Sequence, residues 1–151
     1  MFESKLNLLD CTLRDGGYYN AWDFDSKIVT EYLGSVALAG LEYVELGLRQ
    51  FNDVKYLGAH AYTTREYLKR LDLPLGPTYG VMIDAKTVLS RETSQEDCIN
   101  QLFLDAKDEK ISLVRVAAHF KEVEECLPML SRLKEKGYIV GLNIMQASLR
   151  S

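Results

Sequence analysis

Leu6-Asn7-Leu8-Leu9-Asp10-Cys11-Thr12-Leu13-Arg14-Asp15-Gly16-Gly17 is the stretch whose reading decides the fold. A short leucine-rich run that passes at once into an arginine, an acid and two glycines reads as a buried strand, Leu6 to Leu13, opening into a polar loop. The Asp15 carboxylate at a strand end suits a hard cation, and the Arg14 guanidinium beside it suits a developing oxyanion. Gly16 and Gly17 let the backbone turn close to a ligand. A charged surface turn has the same composition, so the decision passes to the rest of the chain.

Working outward, strand-like runs alternate with helix-like periods. Asp23 or Asp25 can cap a helix with Ile28, Tyr32 and Val36 on one face, ended by Gly40. Leu41 to Leu48 reads as a second strand, followed by a long loop through Arg49 to His60. Thr63 with Glu66 gives a capping-box start to a helix using Leu68 and Leu71. Tyr79 to Asp84 is a third strand, and Thr93 with Glu96 repeats the capping signal before Ile99, Leu102, Phe103 and Ala106. Ile111 to Ala117, a helical face of Val123, Leu127, Leu130 and Leu133, a stop at Gly137 and a strand from Tyr138 to Ile144 complete the pattern. Pro128 inside that last helix predicts a kink or a split. The alternation predicts an α/β fold with parallel strands and right-handed crossovers, either an open doubly wound sheet or part of a (β/α) barrel.

Charges inside strands separate those two. Glu45, within Tyr43-Val44-Glu45-Leu46, and Arg115, within Val114-Arg115-Val116, stand where an open parallel sheet wants apolar side chains. Inward positions of a barrel tolerate them, and alternate strands share a layer there, so the two are expected to form a charge pair beneath a site. Tilting to the sheet edge into solvent is the other way to place them.

At 151 residues, 47% hydrophobic and 26% charged, the chain can bury the core of one domain. The net charge of -4 and the scattered basic residues argue against a nucleic-acid surface. No apolar run approaches the ~20 residues of a membrane helix, and the polar start from Met1 to Lys5 does not read as a secretion signal, so a cytoplasmic protein without membrane contact is expected. Cys11, Cys98 and Cys126, odd in number and lacking CxxC spacing, read as free thiols of a reducing compartment.

Leu9-Asp10-Cys11-Thr12-Leu13-Arg14-Asp15-Gly16-Gly17, with Val44-Glu45 and Val114-Arg115-Val116-Ala117-Ala118-His119, resembles the 3-hydroxy-3-methylglutaryl-CoA lyase-like family. These are the DRE-TIM metallolyases, divalent-metal TIM barrels that include 4-hydroxy-2-oxovalerate aldolase and the isopropylmalate-type and homocitrate-type synthases. The resemblance implies a partial TIM (β/α)8 barrel of about five parallel strands and four helices. It also implies a carbon–carbon lyase or aldolase that forms an enolate of a small oxo acid or acyl-CoA on Mg2+ or Mn2+. Asp15 matches the family's metal-binding aspartate, Arg14 the arginine that stabilises enolate charge, and Glu45 an acid that braces them. A condensing synthase of the same family, or a non-catalytic binding or regulatory domain, is the alternative.

Two departures stand beside the matches. Tyr18 occupies the place where family members carry a glutamine or histidine acid–base group. A phenol is a weak base at neutral pH, so Tyr18 is expected to relay a proton, bind a carboxylate or form an aromatic lid. The family's late histidine-x-histidine pair is also missing, since His60 and His119 are far apart. A full barrel needs ~250 residues. Residues 1–151 are therefore expected to be the N-terminal part of a pyruvate carboxyltransferase-type barrel domain, with no second domain and with further metal ligands beyond residue 151. Taken alone, such a part is expected to bind metal poorly, to turn over little, and to self-associate through exposed barrel edges. Arg115, Asn143 and Gln146 are further substrate-binding candidates, as is His119, for which a helix-start cap is the first reading and a substrate contact the second. Asp84, at a strand end, reads as a pocket residue or as the start of a turn, His60 as a loop residue, and Phe51 and Tyr56 as loop aromatics that contact substrate or pack the loop down.

Overall fold

The computed structural model describes residues 6–52 and 57–149, so Tyr56 and the last two residues lie outside the described residues. Strands β1 (Leu9–Asp10), β2 (Tyr43–Leu48), β3 (Thr78–Asp84), β4 (Leu113–His119) and β5 (Ile139–Met145) form one sheet in the order β1-β2-β3-β4-β5. Every neighbouring pair is parallel. A doubly wound sheet reverses its order at a switch point, and this one never does. Sequential parallel strands with helices on one face are the winding of a (β/α) barrel, here a half-barrel.

In chain order the helices are α1 (Thr12–Asp15), α2 (Gly17–Asn20), α3 (Ser26–Leu38), α4 (Ala59–Tyr62), α5 (Arg65–Arg70), α6 (Ala85–Leu89), α7 (Gln95–Leu102) and α8 (Leu127–Glu135). The four predicted helices are α3, α5, α7 and α8, one in each crossover. The others are short turns in the connections.

The first strand is shorter than the predicted Leu6 to Leu13, because the Asp10 carboxylate accepts the Thr12 N–H at 2.8 Å and turns the chain into α1. Arg14 and Asp15 consequently ride on a helical turn. Asp25, with extended backbone, accepts the Lys27 and Ile28 N–H groups and so settles which aspartate starts α3. The buried stripe of α3 is Val29, Leu33 and Val36, while Ile28 is 59% exposed. A 3.6-residue period leaves neighbouring stripes open, and the capped first turn chooses between them.

The caps of α5 and α7 each fall one residue after the predicted position. Thr64 accepts the Tyr67 N–H and Ser94 the Asp97 N–H, while Thr63 is buried at φ 39° closing α4. Helix α7 stops at Leu102, so Phe103 and Ala106 pack from beyond its end. Pro128 lies in the first turn of α8, where its missing N–H needs no partner, and of the two expected outcomes the split is the one found: residues 123–126 form a turn and the helix begins at Leu127. Because α8 starts only at Leu127, its buried residues are Met129 and Leu133, and Leu127 faces solvent.

Strand residues alternate between two faces. Val44, Leu46, Val81, Ile83, Val114, Val116 and Ala118 face the helices and bury Val29, Leu33, Leu68, Ile99, Met129 and Leu133. At about 1.5–3 kcal/mol per fully buried large aliphatic side chain, this layer dominates stability. Glu45, Met82, Arg115, Ala117 and Asn143 occupy the other, concave face. On β5 the helix-side residues Leu142 and Ile144 are 37% and 39% exposed.

Candidate active site

Glu45 enters the concave face from β2 and is fully buried there. A buried carboxylate needs charge partners, and it has two. Arg14 Nε donates to Glu45 Oε2 at 2.8 Å, and Arg115 Nη1 lies 3.4 Å from both Glu45 oxygens. The Arg115 Nη2 donates to Asn143 Oδ1 at 3.0 Å on β5. Arg14 also pairs with Asp15, whose side chain is 60% exposed at the rim. Side chains from three strands and the turn after β1 thus converge, and the charge pair expected between Glu45 and Arg115 is present in the geometry.

Burial alone lowers the affinity of Arg14 for its proton, yet the Glu45 hydrogen bond and charge, helped by Cys11 and Asp15, hold the guanidinium above its ordinary range. The Cys11 thiol, 3.4 Å from Arg115 Nη1, is pushed up by burial and by the Glu45 charge, so it stays protonated at neutral pH. Asp10 points the other way, towards α3, and bonds Tyr32. Burial raises Asp10, but the Tyr32 and Thr12 hydrogen bonds outweigh it and bring the carboxyl below its ordinary value.

The remaining candidates scatter. Tyr18 is exposed and lies edge-on to Trp22 at 4.7 Å between ring centroids. His119 is exposed at the start of the 3-10 turn Phe120–Glu122, where its backbone N–H donates to Glu122 Oε2 at 2.8 Å. Gln146 is exposed with φ 55°, one residue past β5. Asp84 caps α6 through the Lys86 N–H at 2.9 Å, and the Arg91 guanidinium lies 3.6 Å over the Phe51 ring. Asn143 and Arg115 hold one another as well as facing the concavity.

His60 is not the loop residue expected. It is buried in α4, with Nδ1 against the Leu46 carbonyl and Nε2 at 2.8 Å from the Tyr67 hydroxyl. Because a carbonyl only accepts, Nδ1 carries the proton and Nε2 accepts from Tyr67. Burial lowers its pKa, outweighing the Leu46 bond. Its carbonyl fits against Gly47 at φ 152°, where a Cβ would lie 2.0 Å from that oxygen. Sequence reasoning also missed Trp22, whose Nε1–H donates to the Arg14 carbonyl at 2.9 Å. The signal available was the single tryptophan of the chain, five residues after Gly17.

For a divalent ion, the described residues offer Asp15 at the rim. Glu45 is already saturated by two guanidiniums, and among the described residues no three His, Cys, Asp or Glu side chains converge. On its own this donor set does not fit a metal. Among the described residues no helix is long and apolar enough to cross a membrane.

Together the sequential parallel strands and the helices of the crossovers define an α/β half-barrel. No family model matches the chain, and no curated protein matches it. Among solved structures, the chain is similar to the N-terminal domain of a "putative aldolase" from Bacteroides vulgatus, with 34% identity and a TM-score of 0.81 over 95% of this chain. The chain spans 46% of the length of that relative.

Proposed function

We propose that the protein contributes to a carbon–carbon lyase of the aldolase type, acting on a small oxo acid or acyl-CoA through an enolate. The observation that carries the reading is Arg14, a cation fixed by buried Glu45 at the rim of an aldolase-like half-barrel. When a proton leaves the carbon next to a carbonyl, the electron pair moves onto the carbonyl oxygen. A pre-positioned guanidinium stabilises that charge without reorganising. Glu45 is a brace in this reading, since both its oxygens face guanidinium donors. Tyr18 closes over the bound substrate and relays the proton, while Arg115 and Asn143 line the floor, with His119 and Gln146 at the outer edge of the substrate.

The Mg2+ or Mn2+ that the resemblance implies would take Asp15 as one donor and find the rest outside residues 1–151, and no step above runs through it. Cytoplasmic residence belongs to the same proposal, in keeping with three free thiols. So does self-association of this chain through β5, whose Leu142 and Ile144 are uncovered. Sedimentation velocity showing only monomer at high micromolar concentration would count against that association.

The test of the activity is deuterium uptake into the methyl group of pyruvate by the natural protein in D2O with Mn2+. Uptake that falls at least ~100-fold in Arg14→Lys supports the reading, in line with the loss of an oxyanion-stabilising donor. Acetyl-CoA consumption with an oxo acid instead would make it a synthase. Neither reaction, with a folded protein, would leave a non-catalytic binding domain.

A further inference from the structure

Arg14 and Asp15 sit on a one-turn helix, too short to hold itself in place. Their own N–H groups donate to the Cys11 carbonyl, and those of Gly16, Tyr19 and Trp22 donate to the Thr12, Gly16 and Gly17 carbonyls. The Arg14 carbonyl receives the Trp22 indole N–H at 2.9 Å, from eight residues away.

The indole is seated with little freedom. Its ring fills the space above Gly17, where a Cβ would lie 2.0 Å from Trp22 Cδ1. Trp22 belongs to a buried cluster with Leu48, Ala61, Met82 and Ala117. To reach this seat the chain places two successive non-glycine residues, Ala21 and Trp22, at φ 57°. L-residues rarely adopt that conformation, and it persists only where the surroundings over-determine it. Gly58 supplies part of that determination. Its N–H donates to the Ala21 carbonyl at 2.8 Å, and a Cβ on it would lie 2.0 Å from the Trp22 carbonyl oxygen.

We infer that Trp22 is a positioning residue: its indole ties the Arg14 turn to the concave floor and so sets the approach of the Arg14 guanidinium to Glu45. Its catalytic meaning rests on the reading of Arg14 given above, but its structural content does not. The strain at Ala21 and Trp22 is the conformational cost of presenting a hydrogen-bond donor beneath a turn that carries charge. Tyr18, edge-on to the same ring, is tied into this arrangement, so the lid and the guanidinium share one anchor.

The experiment is NMR of the 15N-labelled 17.2 kDa chain. The Arg14 Nε–H, bonded to Glu45 on a side chain 13% exposed, is expected to give a solvent-protected signal. Trp22→Phe keeps a ring and removes the donor. Hydrogen exchange at Arg14 Nε should accelerate at least tenfold while the amides of β3 and β4 keep their parent rates. Arg14 exchange equal to the parent's would overturn the inference. Should Trp22→Phe fail to fold, β-(3-benzothienyl)-alanine at position 22 preserves the ring shape with sulfur in place of N–H and is judged by the same two outcomes. Gly17→Ala, which displaces the indole, should loosen Arg14 in the same way. In the natural protein, Trp22→Phe should lower the rate constant of pyruvate exchange at least tenfold with KM little changed. If the natural protein gives no exchange at all, the lyase reading falls, and the Arg14 signal still decides the positioning role.

Discussion

Glu45→Gln removes one negative charge from the concave face and leaves the side-chain shape intact. Glu45 is fully buried and holds Arg14 at 2.8 Å and Arg115 at 3.4 Å. Each hydrogen bond to a charged group contributes about 1.5–3 kcal/mol, and breaking a buried ion pair by removing one partner costs about 3–5 kcal/mol. The two guanidiniums keep some relief, since their side chains are 13% and 19% exposed and retain Asp15 and Asn143 as partners. The expected loss is therefore at the lower end, about 3 kcal/mol, a large share of the ~5–15 kcal/mol that holds a typical domain together. For a chain of this size that corresponds to a fall of roughly 6–12 °C in Tm. Urea unfolding measures it, and an unchanged m-value would show that the native and unfolded states kept their exposures. Arg115→Met alone and combined with Glu45→Gln closes the cycle, with a coupling of about 1 kcal/mol or more expected for groups in contact. A Glu45→Gln loss below ~1 kcal/mol, or additive effects in the cycle, would refute the view that this carboxylate organises the rim.

Acid should weaken the fold through His60. Its native pKa is lowered by burial, so the unfolded chain takes up a proton first, and its stabilising contribution is complete above the ordinary value near ~6.5 and is lost as pH falls below it. The slope from this one group approaches ~1.4 kcal/mol per pH unit, so urea midpoints measured from pH 8 to 5 should fall more steeply in the parent than in His60→Gln; parallel profiles would contradict this. Gly47→Ala should cost roughly 2–3 kcal/mol, since the new Cβ meets a backbone oxygen that has little room to yield. A thermal shift of under a degree would mean that β2, whose register with β3 shifts between Glu45 and Leu48, relaxes freely there. Mn2+ titration of the 151-residue chain, followed by electron paramagnetic resonance, should give a Kd of ~1 mM or weaker, as one exposed carboxylate allows. Micromolar binding abolished by Asp15→Asn would show that further donors lie within the chain.

What the sequence made legible depended on whether a residue's burden was local or tertiary. The winding was readable because five apolar strand runs alternate with four helical periods, and the barrel alternative was favoured because Glu45 and Arg115 interrupt strands that otherwise want apolar side chains. Partners in the network were less readable. Asn143 interrupts an apolar strand, which marked it as a pocket residue, but its contact with Arg115 follows from strand register and appears only in three dimensions. Cap positions slipped by one residue at Thr63 and Thr93 because adjacent hydroxyl residues, Thr64 and Ser94, serve equally by type and differ only in the entry angle of the chain. Trp22 was illegible for a deeper reason. Its role requires left-handed backbone at two residues with no intrinsic preference for it, a conformation imposed by Gly17 and Gly58 from either side.

The order of the sheet also prescribes an order of assembly. Leu9 meets Tyr43, Val44 meets Tyr79, Val81 meets Val114 and Val114 meets Val140, so each strand docks on the one made just before it. A chain wired in this way closes one crossover at a time, 26 to 35 residues between paired strand residues, and can consolidate from its N-terminus during synthesis. The polar contacts do not follow that schedule. Arg115 reaches back 70 residues to Glu45 and 104 to Cys11. Until β4 arrives, Glu45 has Arg14 as its partner and one side of the concave face lacks its second cation. The apolar layer is thus laid down stepwise, whereas the ionic rim is completed at a single late moment, when the fourth strand brings Arg115 home.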